Sequence, residues 1–132
     1  MYRSKIELHN VDCLPFMKQC EDKQFDLAIV DPPYGIDVKT RVFNDGKSWD
    51  SETPKQEYWD ELFRVSKNQI IWGGNYFDLP PTQGFFIWDK KQPHDFSLAM
   101  CEMAWSSLQK PAKMWTLSVL KEVNKIHPTQ KP

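Results

Sequence analysis

The stretch Phe25-Asp26-Leu27-Ala28-Ile29-Val30-Asp31-Pro32-Pro33-Tyr34 decides the reading of the fold. Its first six residues are mostly apolar and read as a buried strand, which stops at two prolines. Neither proline can donate to a sheet ladder, and Pro33 keeps Pro32 out of the helical region. The result is a rigid, extended turn at the carboxyl end of a strand, the edge at which open α/β sheets bind ligands. The turn presents a carboxylate, backbone carbonyls and an aromatic ring together, a set suited to holding a flat, amino-bearing base. The near-continuous apolar run also fits a central strand covered on both faces.

Downstream of Gly35 lies a long polar stretch, 36–53, with Asn44-Asp45-Gly46 as a turn signal. A connection of this length is expected to be a flexible loop, often a functional one. Thr53 then offers an N-cap and Pro54 suits the first turn of a helix. Tyr58, Trp59, Leu62, Phe63 and Val65 form an apolar stripe at helical spacing and read as core. Gln69 to Trp72 is a second strand ending in Gly73-Gly74-Asn75-Tyr76. Phe85 to Trp88 is a third, followed by Asp89-Lys90-Lys91. Leu98 to Ser106 reads as a strand containing Glu102, and another is expected around Met114–Leu120. Upstream, Lys5 to Val11 alternates as a short strand and Leu14 to Cys20 as a short helix. Strands with helices between them favour an α/β fold with a mostly parallel sheet in a single domain, 1–132. Asp12, Asp31 to Tyr34, Asn75-Tyr76 and Trp88-Asp89-Lys90 then fall at strand ends, where one sheet edge collects them.

The 132 residues are 40% hydrophobic and 27% charged, which fits one folded domain rather than a disordered chain. No apolar run approaches the ~20 residues of a membrane span. The start, Met1-Tyr2-Arg3-Ser4-Lys5, lacks an apolar export signal, so a cytoplasmic location is expected. Cys13, Cys20 and Cys101 lack the spacing of a zinc site and read as free thiols. Net charge is −1, yet residues 89–132 carry 7 Lys against 4 Asp and Glu. That basic third can face phosphates, or be a solvated lysine-rich surface.

With these residues in view, the chain resembles the β-type (permuted) DNA amino-methyltransferases, which methylate adenine N6 or cytosine N4. Asp31-Pro32-Pro33-Tyr34 is similar to their catalytic motif. Trp88-Asp89-Lys90 and the Cys101-Glu102 strand resemble later parts of the catalytic half. His127-Pro128-Thr129-Gln130-Lys131-Pro132 resembles the segment that opens the cofactor half. The resemblance implies a Rossmann-like class I methyltransferase fold, S-adenosylmethionine as cofactor and DNA as partner. It implies a site-specific enzyme of the restriction–modification kind. The Asp before Pro-Pro-Tyr is commoner in its adenine enzymes than in its cytosine enzymes.

The resemblance assigns catalysis to Asp31, Pro32, Pro33 and Tyr34. It assigns the cofactor to Asp12, Asp31, His127, Thr129 and Lys131, and the substrate to Tyr34, Asn75, Trp88 and Lys90. The chemistry needs no metal. An exocyclic amine on an aromatic ring is a poor nucleophile because its lone pair is delocalised. Asp31 and the Pro32 carbonyl can accept its two N–H bonds, and the Tyr34 ring can stack on the base once it leaves the duplex. The family's glycine-rich DxFxGSG turn, expected after the HPTQKP segment, is missing. The chain is therefore expected to be the catalytic half of such an enzyme, completed by a cofactor-binding half or prone to self-association through exposed sheet edges. Two other readings stand beside this one. The first is a non-catalytic nucleic-acid-binding module with the same fold. The second is methyl transfer to cytosine N4, RNA or a protein glutamine.

Overall fold

The computed structural model describes residues 5–36, 51–95 and 97–118. Five strands form one mixed sheet: β1 (Phe25–Val30), β2 (Ser66–Trp72), β3 (Phe85–Asp89), β4 (Cys101–Ser106) and β5 (Lys113–Thr116). Their order across the sheet is β1-β2-β4-β3-β5. The β1–β2 and β3–β5 pairs are parallel, and β4 is antiparallel to both of its neighbours. Four strands therefore share one direction, although only half of the ladders are parallel. This is a small α/β arrangement with few helices among the described residues, α1 (Cys13–Met17) and α2 (Gln56–Val65).

The helices cover one face of the sheet. Leu62 and Val65 of α2, Met17 and Cys20 at α1, Ile71 of β2 and Trp105 of β4 form the buried cluster. Full burial of each such apolar side chain contributes roughly 1.5–3 kcal/mol. The stripe expected on α2 is thus core, with Tyr58, Trp59 and Phe63 half-buried around it. Strand alternation puts Trp72, Trp88 and Trp115 on the opposite face, where Trp72 and Trp115 meet edge-to-face at 5.9 Å.

The position of β1 corrects the reading of a central strand covered on both faces. It is the end strand of the order, paired only with β2 among the described residues. Ala28 and Val30 pack against the cluster, while Leu27 and Ile29 are 43% and 61% exposed. An apolar run marks a strand but does not say which side neighbouring elements will cover. Residues 5–10 are likewise not a strand. Ile6 and Leu8 are 83% and 92% exposed, because alternation without a ladder partner makes no sheet.

Helix ends differ from expectation for local reasons. α2 begins at Gln56 behind Lys55, which makes no side-chain cap bond. The expected cap, Thr53, packs instead on Gly35, where a Cβ would lie 3.0 Å from Thr53 Cγ2. α1 stops at Met17, and the Arg64 guanidinium takes the Met17 and Cys20 carbonyls at 2.9 Å each. The Met17 carbonyl also accepts the Cys20 N–H at 3.0 Å, so the guanidinium braces the turn that follows α1. α2 passes into β2 with no intervening residue, Val65 closing the helix and Ser66 opening the strand. The strand expected around Met114–Leu120 is Lys113–Thr116, and residues 119–132 lie outside the described residues.

Candidate functional site

Because β4 runs against its neighbours, its amino end lies beside the carboxyl ends of β1, β2 and β3. Asp31 to Tyr34 leave β1 at this edge. The turn Gly73–Tyr76 leaves β2, Asp89 and Lys90 leave β3, and Cys101-Glu102 enter β4. The sheet therefore gathers most of the residues expected at strand ends. Asp12 is not among them, since the segment before it is no strand. Its carboxylate instead caps α1 by accepting from the Leu14 N–H at 2.9 Å.

The Asp31-Pro32-Pro33-Tyr34 turn combines a buried Pro32 with an exposed Asp31 and a half-buried Tyr34. The Tyr34 hydroxyl donates to Asp31 Oδ1 at 2.8 Å. Burial, and then this bonded carboxylate, holds the Tyr34 phenol well above its usual range, with the Glu102 charge adding to the effect. Tyr34 therefore stays a protonated donor, and Asp31 is the acceptor.

Gly73 fixes where the Tyr34 ring can lie. A Cβ on Gly73 would sit 2.2 Å from Tyr34 Cε1 and 2.6 Å from both flanking ring atoms. With Cε1 at 2.2 Å, flanking atoms as near as 2.6 Å put it over the face of the ring rather than at the rim. Gly73 also has φ +68°, a region other residues enter only with strain. Tyr76 stacks on Tyr34 with centroids 4.8 Å apart and planes 14° from parallel. Phe77 meets Tyr34 edge-on at 6.2 Å and in turn packs on Trp59 of α2 at 4.9 Å. The aromatic wall thus runs from the site into the core.

The other expected residues take different places. Trp88 is 2% exposed and its Nε1 donates to the Leu117 carbonyl at 2.9 Å. It is a core tryptophan. Lys90 does not reach outward. Its ammonium is 2.6 Å from Glu102 Oε1 and lies 5.3 Å from the Trp88 ring. Its side chain is only 17% exposed. Asn75 is exposed in the middle of the 3₁₀ turn, and the left-handed residue is Gly73 rather than Asn75. His127, Thr129 and Lys131 lie outside the described residues, as does 37–50 of the expected loop.

Sequence reasoning missed Gly73, Phe77 and Glu102. The Gly73-Gly74 pair after an apolar strand was the available signal for a close approach, and Glu102 inside a strand was the signal for a buried charge partner. No described helix is long and apolar enough to cross a membrane. No family model matches the chain, and no curated protein matches it.

Proposed function

We propose that this chain carries the catalytic motif of an S-adenosylmethionine-dependent DNA methyltransferase of Rossmann-like fold, acting on adenine N6. The observation that carries the reading is the Asp31–Tyr34 unit. A carboxylate and an aromatic ring are joined by a 2.8 Å hydrogen bond at the ligand-binding edge of the sheet. Four strands sharing one direction suit the proposed fold.

In this reading Tyr34 stacks on a flipped base, an interaction worth about 1–3 kcal/mol. Asp31 and the Pro32 carbonyl accept the two amine hydrogens, which turns the nitrogen lone pair out of conjugation. The Asp31 carboxylate then stabilises the positive charge that grows on that nitrogen. S-adenosylmethionine, when bound, supplies an electrophilic methyl group on a sulfonium. Asp31 is an exposed carboxylate, a chemistry that fits a cationic nucleoside, and by the resemblance His127, Thr129 and Lys131 would complete its holding set, whereas the Asp12 carboxylate caps α1. Most of the rate must come from orientation, because a direct transfer between two held groups needs little else.

The test is nucleoside mass spectrometry after incubation of DNA and S-adenosylmethionine with the protein, alone and with a complementing cofactor half. N6-methyladenine is the expected product. N4-methylcytosine as sole product would overturn the adenine assignment, and an active Asp31→Ala variant would overturn the mechanism.

A further inference from the structure

Tyr34 is the ring on which a base stacks in the proposed function, and the inference drawn here rests on that reading. That ring already has a stacked partner, Tyr76, at 4.8 Å and 14°. Two contacts of the ring differ in kind. Gly73 is buried backbone, and its N–H is held by the Met103 carbonyl at 2.8 Å. That wall cannot move without breaking the sheet edge. Tyr76 is a side chain, 43% exposed, on a 3₁₀ turn whose Tyr76 N–H donates to the Gly73 carbonyl at 2.9 Å. Its ring can change χ1 rotamer and leave every backbone hydrogen bond of the turn in place.

A tyrosine and a nucleobase offer Tyr34 the same thing, a flat π-face at stacking distance. We propose that Tyr76 is a gate: its ring occupies the stacking position of a nucleobase on Tyr34 and swings out when a base enters. The gate keeps the Tyr34 ring in plane beside Asp31 before a base arrives. It also sets a threshold, since an entering ring must replace an aromatic pair rather than fill open space. In the wild-type chain the stack of a base on Tyr34 is offset by the loss of the Tyr76 stack. No such offset applies where the gate has been removed.

The probe is the single nucleotide 2-aminopurine riboside 5′-monophosphate, which has no neighbouring base and whose fluorescence is quenched when it stacks on an aromatic ring. It is titrated against the full chain and three variants. Tyr76→Ala is expected to bind the probe roughly 2- to 12-fold more tightly than wild type, the worth of one aromatic pair. Tyr76→Phe keeps the ring and is expected to bind as wild type does. Tyr34→Ala is expected to lose the quenching. Tyr76→Leu gives a second gate-less variant should Tyr76→Ala fail to fold, with folding read by circular dichroism. Equal or weaker binding by the folded gate-less variant, with quenching still lost in Tyr34→Ala, overturns the gate and leaves base stacking on Tyr34 standing. Absence of quenching in wild type and all variants overturns both.

Discussion

The two ends of the sheet handle polar groups in opposite ways. At the end where β2 starts and β4 finishes, the buried polar residues are neutral and bond inward. The Ser66 hydroxyl donates to the Leu62 carbonyl, and Gln69 Nε2 donates to Ser66 at 2.9 and 3.0 Å. The Thr82 hydroxyl lies 2.7 Å from the Ser106 carbonyl, and the Gln69 N–H donates to Ser107 Oγ at 2.8 Å. Ser66 and Ser106 have no exposed surface. At the other end the polar groups are charged or aromatic, exposed in Asp31 and Tyr76 and half-buried in Tyr34, Lys90 and Glu102. Serines and a glutamine that satisfy their own backbone finish a fold. Carboxylates and rings gathered at a strand end are the groups on which the proposed function rests.

The sharpest attack on this contrast is Asp31→Ala. In the protein complemented for cofactor, methyl transfer is expected to fall by roughly a hundredfold or more, with no loss of fold because Asp31 is exposed. Retained activity would make this end as purely structural as the other.

Two glycines come next. A Cβ on Gly84, at the inward-bonded end, would lie 2.0 Å from the Leu108 carbonyl oxygen. Backbone cannot step aside cheaply, so Gly84→Ala is expected to destabilise by about 1–3 kcal/mol in denaturant titration. Gly73→Ala meets the side chain of Tyr34 instead. Its stability loss should be smaller, about 1–2 kcal/mol from the left-handed backbone, while Tyr34 is driven off its seat and stacking is lost. A reversed ranking of the two would break the comparison.

Ser66→Ala sharpens the inward-bonded end. It removes one hydroxyl and leaves Gln69 with one partner fewer, at an expected cost of about 1–2 kcal/mol, with no change in base stacking. The smallest effect belongs to Lys67→Ala. The Lys67 ammonium, bonded to Asp26 at 2.7 Å, holds that carboxyl below its usual range. The folded value is depressed, so the contribution is present above the ordinary carboxylate value and fades as pH falls through the lowered one. Lys67→Ala should leave stability at neutral pH nearly unchanged and flatten the acid side of the curve, read as denaturation midpoints from neutral to acid pH.

Much of this contrast was legible in local sequence. The strand before Asp31, the stripe of α2 and the turn at Pro32-Pro33 are each fixed by neighbours within a few residues. What was not legible depends on distant partners. β1 is an end strand because of what the rest of the sheet does, and Ile29 looks the same in sequence whether covered or bare. Trp88 is a site residue only by the resemblance, and its place opposite Glu102 and under Lys90 comes from register. Nothing local to Lys90 announces that Glu102, twelve positions later, pairs with its ammonium. Tyr34 was found, but its seat on Gly73 is a matter of two strand ends meeting.

The joint between Val65 and Ser66 has a consequence of its own. With no residue to spare between helix and strand, β2 works as a ruler, seven residues from the helix end to the turn that seats Tyr34. An extra residue at the joint would either rotate the apolar stripe of α2 away from the sheet or reverse every side chain of β2. Length at that point is therefore under tighter constraint than chemistry. A chain that varied freely in its outer loops would still have to count the same number of steps from Leu62 to Gly73.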